Sequence, residues 1–504
     1  MSELLRGEPS GVPRARMMLQ RAHWAATAFA TYPADAVARI VEAVAEVAYQ
    51  NAERYADWAV RETGMGVVEH KRIKNEVCSR GILETYRDHD YASARIDAER
   101  RIVELPRPAG VVLALTPSTN PVCSVYFKVL LSLMTRNAVV VSPHPMAREC
   151  CVDAARLLAD AAVRAGAPDG CIQVVEEPTI PLIEALMSDP ATDVIVATGG
   201  SAVVRAAYRS GNPAIGVGPG NVPVLVDATA DLVRAARCIV DSKAFDSSIL
   251  CTNESVLIAD ERIADALERE LVKQGAHICS AAEADKLRDT VFPDGHWQLE
   301  LVGRDAQTIA RAADIRVTPR TRVLVAPFSL VVPEEPLARE KLFPVLGMLR
   351  VADARRGIDA ARAMVRIGGA GHSAVIHSTD APTIMAFGAA VNVLRVAVNA
   401  GGSTGSSGFE TSLAPSMTIG TGFFGRSSLG GNLEPGHLVN WTKVAYVSDP
   451  AVPFGSFEGL EPWSAQPELV PRTAAARETN GKDDEMREEI RRLVVEELRE
   501  LMRR

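Results

Sequence analysis

Four short apolar runs, at residues 110–115, 138–141, 172–175 and 194–197, alternate with segments of helical pattern, and this alternation constrains the fold most. Strands buried on both faces read as continuous apolar runs, and a parallel sheet needs a helix-length crossover between successive strands. Residues 147–164 supply one such crossover, and Gly166-Ala167-Pro168 stops it. A second set of strand-like runs, at 255–259, 323–326 and 374–377, lies in a region from about residue 241 to 430. Ahead of both, residues 35–87 read as helix, with Val37, Ile40, Val41, Val44 and Val47 three and four apart. The expectation is an α/β chain with parallel-type sheets, and 504 residues suffice for two or three domains.

Charge and cysteine usage narrow the function. A formal net charge of -8 argues against a general nucleic-acid binder. Lys128 and Arg136 interrupt the best candidate for a membrane span, at 122–141, and the first ten residues lack a basic-then-apolar leader. Eight scattered cysteines, none in C-x-x-C spacing, make neither a disulfide framework nor a metal site. The expected compartment is the reducing cytosol, with no metal, no nucleic acid and no membrane as partner.

One cysteine stands in a small-residue loop, Lys243-Ala-Phe-Asp-Ser-Ser-Ile-Leu-Cys251-Thr-Asn-Glu254. A thiolate is a strong nucleophile toward carbonyl carbon, and a loop lets substrate reach it. Upstream lies a backbone-rich turn, Gly216-Val217-Gly218-Pro219-Gly220-Asn221. Four further segments punctuate the pattern: Thr116-Pro117-Ser118-Thr119-Asn120-Pro121, Ser142-Pro143-His144-Pro145, Ala197-Thr198-Gly199-Gly200-Ser201 and Glu340-Lys341-Leu342-Phe343-Pro344. A G-x-G-x-x-G fingerprint is absent, so an ordinary dinucleotide turn is not supported.

In order and spacing these segments resemble the aldehyde dehydrogenase superfamily, and within it the acylating, coenzyme A-dependent branch, over residues 21–447. The resemblance implies two α/β domains with parallel-type sheets and a small β oligomerisation extension. It assigns residues 1–240 to a helical region and cofactor domain (part of the extension near 100–112), 241–430 to a catalytic domain, and 431–449 to a return to the cofactor domain and a second strand of the oligomerisation extension. It implies Cys251 as nucleophile, with the Asn120 side chain and the Cys251 N–H as oxyanion donors. Thr116, Pro117, Ser142, Pro143, His144, Pro145, Thr198, Gly199, Gly200, Ser201, Gly218, Pro219 and Glu340 would hold the nicotinamide cofactor. NAD is the expected cofactor. NADP is the alternative, because Met146-Ala147-Arg148 stand where many relatives carry an acid near the adenosine ribose. Cys78, Cys123, Cys150, Cys151, Cys171, Cys238 and Cys279 read as small buried hydrophobes. The chain departs from the family in having Ser247-Ser248 where Asn-Gly is frequent.

Hydrolytic members place a glutamate in the turn upstream of the nucleophile, and residues 214–223 hold no carboxylate. Without a general base for water, the acyl group waits for another nucleophile. Acylating relatives use coenzyme A there. Gly371-His372-Ser373 is similar to a segment of that branch, and His372 either assists proton movement or makes a structural hydrogen bond. Residues 413–420 are similar to the aldehyde-oxidising half of bifunctional aldehyde-alcohol dehydrogenases; the iron-dependent half is not expected in a chain of this length.

Composition shifts near Asp449. Residues 450–471 are rich in Pro, Gly and Ser, and 450–482 read as a flexible linker. Residues 483–504 read as a charged amphipathic helix, with Met486, Ile490, Leu493, Val494, Leu498, Leu501 and Met502 in one stripe. A linker followed by such a helix resembles the encapsulation peptides of bacterial microcompartment enzymes; docking on its own subunit is the alternative. The expected protein is an NAD(P)-dependent acylating aldehyde dehydrogenase for a short aldehyde such as propanal or acetaldehyde. It is a homodimer or homotetramer, packaged through its tail with shell or core proteins. Sulfoacetaldehyde is a rival substrate; a hydrolytic dehydrogenase and a non-catalytic scaffold are rival functions.

Overall fold

In the computed structural model, five parallel strands form one sheet. In spatial order they are Ile172–Val174, Ala138–Ser142, Val111–Leu115, Val194–Thr198 and Ala214–Val217. The chain builds outward from Val111–Leu115 on one side, then returns to its other side with Val194–Thr198. Crossovers leave these two strands in opposite directions, so the loops at their carboxyl ends part and open a crevice. Beneath it runs the helix Pro121–Met134, whose side chains are all buried. Its Lys128 donates to the carbonyls of Leu115 at 2.5 Å and Val196 at 3.0 Å, tying the two strands together. The structure describes residues 11–460 and 462–463.

Seven parallel strands form a second sheet, in the order Ala276–Ile278, Val323–Pro327, Val345–Val351, Glu254–Asp260, Val222–Val226, Ala374–His377 and Val396–Val398. Val222–Val226 lies near the middle although it contains Pro223. The ladder shifts register between Val222 and Pro223, which accommodates a residue with no N–H to donate. This strand and most of the following helix, Leu232–Ala244, precede residue 241, so the second sheet starts earlier in the chain than the sequence reading placed it.

A small antiparallel sheet joins Arg95–Asp97, Ile102–Pro108 and Val439–Ala445. It brings together the two segments expected to extend the fold, while Val111–Leu115 goes wholly to the five-stranded sheet. Val439–Ala445 is an edge strand with one side unpaired among the described residues. Helices Val12–Phe29, Ala34–Gln50, Ala52–Thr63 and Val68–Glu76 precede the sheets. The stripe Val37, Ile40, Val41 and Val44 is buried, and Val47 packs against it partly exposed.

No described helix is long and apolar enough to cross a membrane. The chain divides into a unit ending at Glu458 and a second from Gly459. Phe454 and Phe457 pack on Tyr446, with ring centroids 5.0 and 6.0 Å away. Residues 451–458 therefore fold back on the body rather than forming linker. The helix expected at 483–504 lies outside the described residues.

Candidate active site

In a parallel sheet all amino ends lie on one edge. Along that edge of the seven-stranded sheet stand, side by side, the loops carrying Glu340, Cys251, Gly220, His372 and Arg395. Their contacts are tight. A Cβ on Gly220 would run into the Cys251 carbonyl oxygen and come within 3.3 Å of His372 Cε1. The Gly220 N–H donates to Glu340 Oε1 at 3.1 Å. Asn221 pins the turn by donating to the carbonyls of Ala338 at 3.0 Å and Met364 at 3.2 Å. Arg395 Nη1 donates to the His372 carbonyl at 2.8 Å, and Nη2 to that of Gly420. The His372 ring is buried, with Nδ1 2.9 Å from Ser373 Oγ and no hydrogen-bond partner on Nε2. Burial, helped by the Arg395 charge, pushes its pKa down to about 3, so the ring is neutral.

Six of the cysteines are buried; only Cys238 and Cys251 are partly exposed. Burial pushes the Cys251 thiol up to about 12, and the charge of Glu340 adds to this while Arg395 opposes it. The approach to Cys251 is unusual backbone. Asp246, Ser247 and Ser248 have φ of 47°, 53° and 66°, three successive residues in the left-handed region without a glycine. Such a conformation costs roughly 1–2 kcal/mol per residue and needs support from its surroundings. The support is here. Asp246 accepts from the Val67 N–H at 2.7 Å and from the ammonium groups of Lys71 at 3.2 Å and Lys74, while its own N–H donates to His70 Nδ1 at 2.8 Å. Asn253 donates to the carbonyls of Ser248 at 3.0 Å and Leu250 at 2.5 Å. Asn120 is buried beside this loop, with Oδ1 accepting from Lys74 at 2.6 Å and Nδ2 3.4 Å from the Ile249 carbonyl.

The crevice at the carboxyl ends of the five-stranded sheet gathers another group. Thr116-Pro117, Ser142 to Pro145, and Thr198 to Ser201 follow three adjacent strands. The Thr116 N–H donates to the Ser142 carbonyl at 3.0 Å, while its Oγ1 is buried without a partner. His144 Nδ1 accepts from the Met146 N–H at 3.2 Å, closing a short turn. Gly200 caps the helix Ser201–Arg209, and a Cβ there would meet nothing within 4 Å. An open helix start with free backbone amides suits a diphosphate. The residues therefore fit a dinucleotide. Gly218-Pro219 joins the last strand of this sheet to the first of the other, so the crevice and the Cys251 loop share one turn. Arg148 is half-exposed near the crevice, 3.6 Å from Glu149.

Residues 8–412 match the aldehyde dehydrogenase family. The chain belongs to that family. It is 34% identical over 442 residues to the bifunctional aldehyde-alcohol dehydrogenase of Escherichia coli K12, covering 86% of this chain and 50% of that protein. It thus spans about half the length of that curated relative. An acetylating aldehyde dehydrogenase from Geobacillus thermoglucosidasius superposes with a TM-score of 0.85 at 37% identity, over 87% of this chain and 97% of that one. A propionaldehyde dehydrogenase from the Clostridium phytofermentans fucose utilisation bacterial microcompartment superposes with a TM-score of 0.77 at 28% identity, over 86% and 97% of the two chains.

The structure brings Cys251, Asn120, His372, Glu340 and the Gly216–Asn221 turn to neighbouring positions, and it collects the remaining expected cofactor residues at the crevice. Sequence reading missed Lys71, Lys74, Asp246 and Arg395. The helix Val68–Glu76 is strongly polar, and its buried Lys71, Lys74 and Asn75 look in sequence like a solvated face.

Proposed function

We propose that this chain is a coenzyme A-acylating aldehyde dehydrogenase. The observation that carries the reading is the turn against Cys251, which has no carboxylate and no room for a side chain at Gly220. The Cys251 thiolate adds to the aldehyde carbonyl, forming a C–S bond and an alkoxide. The Asn120 amide and the Cys251 N–H stabilise that charge where it develops; one such donor is typically worth about 3 kcal/mol. A nicotinamide dinucleotide, held at Thr116, Pro117, Ser142 to Pro145, Thr198 to Ser201, Gly218 and Pro219, with Glu340 on its ribose, would supply the hydride acceptor. Loss of hydride leaves the acyl group on sulfur as a thioester. With no base in the turn to activate water, the thioester persists until coenzyme A attacks as its thiolate, forming the new C–S bond as the bond to Cys251 breaks and Cys251 departs as thiolate. His372 offers an unpartnered, neutral Nε2 beside this event and serves as a hydrogen-bonding partner rather than a standing cation.

The finer reading is a short aliphatic aldehyde as substrate, NAD as cofactor with NADP as the alternative, and a homodimer or homotetramer built on the open edge of Val439–Ala445. The division expected at 1–240, 241–430 and 431–449 moves its first boundary back to about residue 222, where the second sheet begins. The similarity to a microcompartment propionaldehyde dehydrogenase, together with the amphipathic stripe at 483–504, supports a cytosolic protein packaged in such a compartment. The test is reduction of NAD by a panel of aldehydes with and without coenzyme A. Steady-state NADH formation should require coenzyme A and yield acyl-CoA. Free acid formed at the same rate without coenzyme A overturns the reading.

A further inference from the structure

The Asn120 amide has two ends of nearly equal size, and only the NH2 end can serve an oxyanion. Lys74 settles which end faces where. Its ammonium has donors only, and it sits 2.6 Å from Asn120 Oδ1. The opposite orientation would set NH2 against NH3+, with no acceptor between them. The amide nitrogen is thereby turned toward the nucleophile loop, 3.4 Å from the Ile249 carbonyl and 3.2 Å from Thr119 Oγ1. Both contacts are long, so the N–H groups are available to a stronger acceptor.

Lys74 is in turn held by Asp246, the first of the left-handed residues leading to Cys251. Lys71 reinforces both ends, donating to Asp246 at 3.2 Å and to the Thr119 carbonyl, next to Asn120, at 3.0 Å. Lys71, Lys74 and Asp246 are 3%, 0% and 0% exposed. A buried trio of charges is a poor way to gain stability, because desolvation offsets the attraction. It is a good way to fix geometry and to polarise a bonded amide.

We propose that Lys74 is a positioning residue that acts through Asn120: it fixes the amide with its N–H groups toward the reacting carbonyl and couples that donor to the Cys251 loop through Asp246. The inference rests on the oxyanion role given to Asn120 above. Lys74→Met keeps the chain length, removes the donor and leaves Lys71 to pair with Asp246. It should lower kcat about 10- to 100-fold, while the Kd for NADH and the KM for coenzyme A stay within about twofold. Asn120→Ala alone should lower kcat by about 100-fold. The double variant should be no more than about twofold slower than Asn120→Ala, because residues acting through one another are not additive. If Lys74→Met folds poorly, Lys74→Gln, which leaves Lys71 paired with Asp246 and keeps a shorter neutral donor, should show a smaller loss with the same non-additivity. Near-normal kcat in Lys74→Met, or losses that multiply with Asn120→Ala, overturns the inference while leaving the oxyanion reading standing. Near-normal kcat in Asn120→Ala overturns that reading and this inference with it.

Discussion

The Gly220 N–H donates to Glu340 Oε1 at 3.1 Å, which sets a carboxyl group against the same turn that touches Cys251. Burial pushes this carboxyl up to about 8, against the opposing pull of the Gly220 N–H, Lys243 and Lys341. A group that close to neutrality changes state within the working pH range of most proteins.

If Glu340 receives the ribose hydroxyls, only its ionised form is a full acceptor. Affinity for NADH should weaken about tenfold per pH unit as pH falls below about 8, and level off above it. Folding carries the opposite sign: the folded carboxyl keeps its proton to higher pH than the unfolded one. This group's stabilising contribution is therefore full below the ordinary carboxylate pKa and is lost as pH rises through about 8. Fluorescence titration of NADH against wild type and Glu340→Gln checks this, and the variant should lose the slope. A Glu340→Gln enzyme with an unchanged pH profile assigns the titration elsewhere.

The Cys251 thiol, held up to about 12 by burial, should react slowly with iodoacetamide near neutrality. Its rate should climb about tenfold per pH unit well past pH 9, because only the thiolate reacts. Arg395 opposes that shift, so Arg395→Met should slow alkylation further and Arg395→Lys should restore part of it. Cys251→Ala supplies the background from Cys238 and should abolish turnover in both directions. Fast alkylation of wild type at pH 7 contradicts this electrostatic picture.

Gly220→Ala should be damaging and Gly218→Ala mild. The first places a methyl against the Cys251 carbonyl, whereas the second meets nothing nearer than Thr421 Oγ1 at 3.9 Å. Overpacking of this kind typically costs about 1–3 kcal/mol, and here it also displaces Cys251. Melting temperature and kcat, compared across the pair, give the readout; equal effects would mean the turn has slack.

The tail reading predicts that residues 483–504 fused to a fluorescent protein are recruited to microcompartment shells. Glu substitutions at Ile490 and Leu498 should abolish recruitment by placing charge in the apolar stripe. Removing these residues from the enzyme should leave kcat unchanged. Lost activity on truncation favours a helix that docks on its own subunit.

The strands Val111–Leu115, Ala138–Ser142 and Val194–Thr198 were legible because burial on both faces leaves unbroken apolar runs. Val222–Val226 was hidden by Pro223, which argues against a central strand until the register shift accommodates it. Val345–Val351 was hidden by a glycine and an arginine that break the apolar run. Cys251 and Asn120 could be singled out from the sequence because they stand in short local patterns. Lys74, Asp246 and Arg395 were not, since a lone charge gives no sign that it will be buried; only distant partners such as Val67 and Gly420 decide that.

The spatial order of the strands around Cys251 is not their order in the chain. Glu254–Asp260 finds one neighbour, Val222–Val226, already synthesised, and must await Val345–Val351 for the other. Arg395 and its anchor at Gly420 follow later still. Before the later strands bury it, the thiol of a growing chain keeps the ordinary cysteine pKa of about 8.5, below its value in the finished protein, where burial raises it and Arg395 only partly opposes the rise. The emerging chain is thus more open to oxidants and stray electrophiles than the mature enzyme. Closure of the last strands both completes the surroundings of Cys251 and masks its sulfur.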